Sequence, residues 1–153
     1  EDEALEHLGG NLERVVRTLH TPILVTPPEF QPPSRLLLAF DGGRTTRKGV
    51  EMIAESPLLN GLICHVIMVG AGTDDQRAQL EWALNRLREG EVDAQGTILA
   101  GDVDEMLAEY ADQHQIDLMI MGAYGHSRIR HLLVGSTTTA MLRHARTATL
   151  ILR

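Results

Sequence analysis

The run Asp117-Leu118-Met119-Ile120-Met121, leading into Gly122-Ala123-Tyr124-Gly125 and followed after nine residues by Gly135-Ser136-Thr137, decides how this chain is read. Asp117 to Met121 is a short apolar run closed by glycine, the pattern of a buried strand. From Gly135 onward a helix is expected. Glycines between a strand and a helix let backbone N–H groups approach an anion without interference from a Cβ. Ser136 and Thr137 suit the same place, because a hydroxyl at a helix start both caps free N–H groups and bonds to phosphate. A Gly-x-x-Gly pair alone reads equally as a plain loop with two tight turns. The Gly-Ser-Thr that follows turns the reading toward phosphate.

Outward from that stretch the chain alternates. Arg35 to Phe40 ends in Asp41-Gly42-Gly43, and Leu62 to Val69 ends in Gly70-Ala71-Gly72; both read as fully buried strands. Thr97 to Leu99 is a weaker third strand, Asp117 to Met121 a fourth and Ala148 to Leu152 a fifth. Leu80, Ala83, Leu84 and Leu87 recur at helical spacing, as do Val103, Met106, Leu107 and Tyr110. Asp102 and Glu105 have the spacing of a capping box, and Val50 to Ala54 reads as a helix ended by Pro57. Strands alternating with helices imply parallel pairing through right-handed crossovers, so the fold class is α/β.

Composition narrows the function. A chain of 153 residues is about one domain, and 43% hydrophobic with only 3% aromatic content points to an aliphatic core of the kind that fills a helix-covered parallel sheet. No apolar run reaches the ~18 residues of a membrane span, and the acidic Glu1-Asp2-Glu3 start lacks the character of a signal peptide, so a cytoplasmic protein without membrane partners is expected. A net charge of −7 argues against nucleic acid as partner. Cys64 is the only cysteine and sits in an apolar run, which reads as a buried, inert thiol. Lys48 is the only lysine and no Gly-x4-Gly-Lys-Ser/Thr occurs, so the P-loop mode of phosphate binding is excluded. The cationic candidates near the glycines are His126, Arg128, Arg130 and His131, with Arg128 placed first.

Residues 1–26 do not fit the alternation, because they offer a helix and a strand before the first βα unit. Set against residues 135–152, at a shift of 126 positions, Gly9/Gly135, Arg17/Arg143, Thr21/Thr147 and Leu24/Leu150 coincide. The stripe Leu12, Val15, Val16, Leu19 keeps the phase of Thr138, Met141, Leu142, Ala145. The expectation is an internal repeat: residues 1–26 as the end of a preceding domain, a stiff Pro-rich linker over 27–33, and the main domain over 34–153.

With Asp41 at a strand end, His65-Val66 in the second strand and the glycines in hand, residues 34–153 resemble the universal stress protein family. The family pattern of Gly, two residues, Gly, nine residues, Gly and a hydroxyl residue is met by Gly122, Gly125, Gly135 and Ser136. The resemblance implies a five-stranded parallel sheet with helices on both faces and an ATP site at the carboxyl ends of the strands, with magnesium as the accompanying ion. By position, Asp41 would face the adenine and Val66 would meet the base through its backbone. Met121 and Gly122 would underlie ribose and phosphates, while Gly125, Gly135, Ser136 and Thr137 would hold the phosphate chain. Tandem members pack two such domains together, and the remnant would then be the last helix and strand of the first. One departure is Gly42-Gly43 where the family often has a hydroxyl residue, leaving Thr45 and Thr46 nearest. The acidic Asp74-Asp75 after the second strand reads as exposed, with a magnesium site as the alternative.

No nucleophile–base couple or paired carboxylates accompany the glycines, so no catalytic residue is named and slow ATP turnover is the most that is expected. The leading function is a nucleotide-dependent stress or regulatory module. The alternative is an interaction module of the same fold, associating with itself or a tandem domain through the terminal strand Thr147 to Arg153. Within one chain, the remnant strand Pro22 to Thr26 is the competitor for that edge.

Overall fold

Leu36, Leu37 and Leu38 are each fully buried. Successive residues of a strand point to opposite faces, so three buried neighbours require a strand covered on both sides. The computed structural model, which describes residues 14–15, 18–27, 29, 31–123 and 147–153, places them at the middle of a six-stranded sheet. Its elements are β1 (Ile23–Val25), β2 (Arg35–Ala39), α1 (Arg44–Glu55), β3 (Ile63–Val69), α2 (Asp74–Glu89), β4 (Asp93–Leu99), α3 (Val103–Gln113), β5 (Leu118–Gly122) and β6 (Ala148–Leu152). The strand order is β1-β6-β5-β2-β3-β4.

The even members of β2, Leu36 and Leu38, join Val66, Ile120 and Leu152 in a core roofed by α1 and α2. The odd member Leu37 joins Ile67, Met121 and Ile151 in a second core beneath α3. The Leu80, Ala83, Leu84, Leu87 stripe is buried as its spacing requires. In α3 only Leu107 and Ala111 are fully buried, while Val103 and Tyr110 pack half-buried against the second core.

Three elements differ from their sequence expectation. The five expected strands are joined by a sixth and the sheet is mixed, because β1, from the remnant strand expected over Pro22 to Thr26, takes the β6 edge antiparallel, with Leu24 opposite Leu150. β4 runs from Asp93, not Thr97; Asp-Ala-Gln-Gly lacks apolar character because an edge strand leaves that stretch largely exposed. α1 begins at Arg44, well before Val50, since its first turn is polar and its N-cap, Gly43, provides no capping side chain. At α3, Asp102 does cap, accepting the N–H groups of Asp104 and Glu105. A reciprocal capping box occurs instead at α2, between Thr73 and Gln76.

Where α1 and α2 meet, Arg86 bridges Glu51 at 2.7 Å and Glu55 at 3.3 Å. Gly90, just past α2, lies so close to α1 that a Cβ there would collide with the Ala54 carbonyl oxygen and stand 2.9 Å from its Cα. On the opposite face of the sheet, under α3, His65 is 4% exposed and its Nδ1 lies 2.8 Å from the Tyr110 hydroxyl. Its Nε2 lies 3.4 Å from the Gln95 amide nitrogen, so both ring nitrogens have polar neighbours. Burial lowers the His65 pKa, with the neighbouring His114 and Arg35 adding to the effect and Asp93 opposing it.

Two outcomes follow from this packing. Gly90→Val is expected to cost about 1–3 kcal/mol in urea unfolding, since backbone atoms cannot yield as a side-chain end does. His65 is held neutral in the fold but titrates near ~6.5 when unfolded. Its contribution is therefore full above that pH and lost as pH falls below it, toward the lower folded value. Unfolding free energy measured from pH 7.5 to 5 should decline less steeply in His65→Phe than in the unsubstituted chain.

Candidate functional site

From β2 the chain crosses to β3 under α1, and after β4 it returns under α3 to β5 on the other side of β2. The order thus reverses at β2, and an open α/β sheet has its crevice at the carboxyl ends of the strands where this happens. Asp41 stands there, directly after Phe40. Its Oδ1 accepts the Gly43 N–H at 2.8 Å and the Thr46 hydroxyl at 2.7 Å. The carboxylate therefore shapes the turn into α1 rather than capping the helix from its first residue, and Oδ2 has no partner among the described residues.

Two glycines permit that turn. Gly42 has φ +77°, a left-handed conformation that favours glycine, and the Gln79 side chain fills the place a Cβ would take. The Arg47 Nε donates to the Gly42 carbonyl at 2.9 Å, and its guanidinium lies 4.4 Å from the centre of the Trp82 ring. Trp82 in turn stacks on Phe40. The turn is gripped from α1 and α2, so the exposed carboxylate is presented on a fixed support.

Across the crevice, Met121 and Gly122 are the last residues of β5, paired with Ile151 and Leu152 of β6. The Ala123 N–H continues the ladder to the Leu152 carbonyl at 2.8 Å. Met121 and Ala123 are both buried in the α3-side core, and Ala123 also lines the hollow described next. Val66 is fully buried in mid-β3, flanked by Leu38 and Gly96, with its side chain in the core roofed by α1 and α2. Val69 ends that strand about 10 Å further along, at ~3.3 Å per residue. Gly125, Arg128, Gly135, Ser136 and Thr137, together with His126, Arg130 and His131, lie outside the described residues.

Beyond Ala123, a hollow of about 220 Å³ opens between β6 and the start of α1. Among the described residues its walls are His20, Thr45, Ala123, Leu152 and Arg153. Thr45 adjoins Thr46, the residue bonded to Asp41, so hollow and carboxylate share the first turn of α1. His20 and Arg153 were not singled out by sequence reasoning. His20 precedes β1, and only the pairing of β1 with β6 carries it to this rim.

The acidic pair is placed as well. Asp74 and Asp75 occupy the first turn of α2, where negative charge is favoured. Asp74 meets Arg77 at 3.4 Å and Asp75 accepts from the Gln79 amide at 2.8 Å. Among the described residues no group of three or more His, Cys, Asp or Glu side chains converges as a metal site. No described helix is long and apolar enough to cross a membrane.

Comparison with known proteins matches this geometry. The universal stress protein family model covers residues 33–153. Universal stress protein Slr1230 of Synechocystis is 40% identical over 139 residues, which is 90% of this chain and 48% of that relative. The chain thus spans about half the length of the curated relative. Among solved structures, a universal stress protein from Archaeoglobus fulgidus DSM 4304 aligns with TM-score 0.69 and 17% identity, over 91% of this chain and 52% of that one. A universal stress protein solved in complex with cAMP aligns with TM-score 0.61 and 21% identity, over 80% of this chain and 98% of that one. A family model spanning the whole βα core, and a relative of this identity across nine-tenths of the sequence, lead to one conclusion: the chain belongs to the universal stress protein family.

Proposed function

We propose that the crevice binds ATP, and that the domain works as a nucleotide-dependent stress-response or regulatory module with at most slow hydrolysis. The observation that carries this reading is the Asp41 carboxylate, locked by Gly43 and Thr46 at the strand-order reversal, where β2 ends beside β5. A universal stress protein of similar fold was solved with an adenine nucleotide, cAMP, which supports the ligand class. In this reading Asp41 meets the adenosine end. Gly125, Gly135, Ser136 and Thr137 receive the phosphates through N–H groups and hydroxyls, with Arg128 as counter-charge. Magnesium, which favours phosphate oxygens with few protein ligands, arrives with the triphosphate. Asp74 and Asp75 are not its site, because each is engaged with a neighbour on its own helix.

A second reading, association through the edge of the sheet, is favoured by the β1–β6 register. Leu24 lies opposite Leu150, and these are the equivalent positions of the two repeat-like segments. Ile23 opposite Ile151 and Val25 opposite Thr149 are then exchanged pairs, as a two-fold relation between like domains requires. This register supports residues 1–26 as the end of a preceding domain of the same kind, joined by the 27–33 linker to the domain over 34–153.

Calorimetric titration of the purified chain with Mg-ATP should give micromolar binding. Gly125→Val should abolish it in a folded protein, because a branched side chain blocks the phosphate approach, and Asp41→Ala should weaken it at least tenfold. Unchanged affinity in a folded Gly125→Val variant rejects the phosphate assignment. For the edge, sedimentation equilibrium should find a larger mass per chain once residues 1–26 are removed, because β6 then seeks another strand; equal association with and without them rejects capping by β1.

A further inference from the structure

Whatever fills the hollow beyond Ala123 is small and polar at one end. A volume of about 220 Å³ falls below the ~300–1,000 Å³ of pockets that enclose whole ligands, so it takes part of one. Among its described walls, His20 brings ring N–H groups of the kind that bind phosphate oxygens and Thr45 brings a hydroxyl. Such a lining is notable in a chain with a net charge of −7. The helix start beside it is also polarised for an anion. α1 has no capping side chain and no acidic residue in its first turn, whereas α2 and α3 have both; the Asp41 carboxylate just before it takes up only the Gly43 N–H and the Thr46 hydroxyl.

The hollow lies along the rim from Asp41 in the direction β2, β5, β6, β1, with the Asp41–Thr46–Thr45 sequence joining the two ends. We infer that His20, with the Thr45 hydroxyl across the hollow, forms a subsite for the terminal phosphates of a bound nucleotide, so that the segment preceding β1 completes the site and selects triphosphate over monophosphate. This rests on the nucleotide reading above and adds to it the residues that measure the length of the phosphate chain. His20 is exposed and stands three residues before β1, so its position depends on the β1–β6 ladder rather than on a core of its own.

The test is calorimetric titration of the full chain, of His20→Ala and of His20→Lys, each with ATP, AMP and inorganic tripolyphosphate. His20→Ala should weaken ATP and tripolyphosphate about tenfold, the scale of one hydrogen bond to a charged group, while AMP stays within about twofold. His20→Lys should keep most of the ATP affinity, because a cation remains. Unchanged ATP binding in His20→Ala, or an equal loss for AMP, overturns the subsite while leaving nucleotide binding in place. Tripolyphosphate bound in a His20-dependent way by a chain that takes neither ATP nor AMP upholds the subsite and rejects the nucleotide reading. A chain that binds none of the three rejects both.

Discussion

Everything in this molecule is referred to β2, the strand that pairs with β3 on one side and β5 on the other. Being central, it must be apolar on both faces, and being the point where strand order reverses, its carboxyl end must open a crevice. Burial at its three leucines therefore serves two purposes. It holds the two helical layers to one sheet, at roughly 1.5–3 kcal/mol per buried leucine, and it fixes the height at which Asp41 leaves the sheet.

Polar groups set both ends of that strand. At its start the Asp117 carboxylate accepts the N–H groups of Ser34 and Arg35 and the Ser34 hydroxyl, all within 3.0 Å, tying the linker to the beginning of β5. At its far end Asp41 gathers Gly43 and Thr46. Two carboxylates thus frame an apolar segment that could otherwise slip, since any register change would pull their donors away. The glycines at the exit have separate tasks: Gly42 adopts the left-handed turn, and Gly43 lets α1 begin without a side chain over the crevice.

The other edge obeys a different constraint. A parallel sheet ending at β6 would leave a row of unpaired backbone groups, and the segment before β2 supplies the missing partner. This pairing is antiparallel because the segment comes from outside the βα alternation. It also brings a histidine from near the chain start to the rim formed by Ala123 and Arg153. Protection of an edge and completion of a cavity are here the work of one short strand.

The buried leucines of β2, the apolar run of β3 and the stripe of α2 were legible in the sequence because burial on both faces, or on one helical face, leaves a periodic signature. The place of Asp41 at the end of β2 was legible too, because the apolar run Arg35 to Phe40 stops there. β4 was half hidden because edge exposure removes the periodicity, and α1 because its first turn is polar and uncapped. Val66 was legible as a strand residue, but its distance from the rim depends on how far β3 continues, which is a matter of pairing with β4. Local periodicity and one spaced motif were enough for the α/β class, the buried strands and the family resemblance. The antiparallel sense of β1 and the meeting of His20, Thr45 and Arg153 arise only in the folded sheet, because contacts between residues more than a hundred positions apart come from strand pairing and leave no local pattern to read.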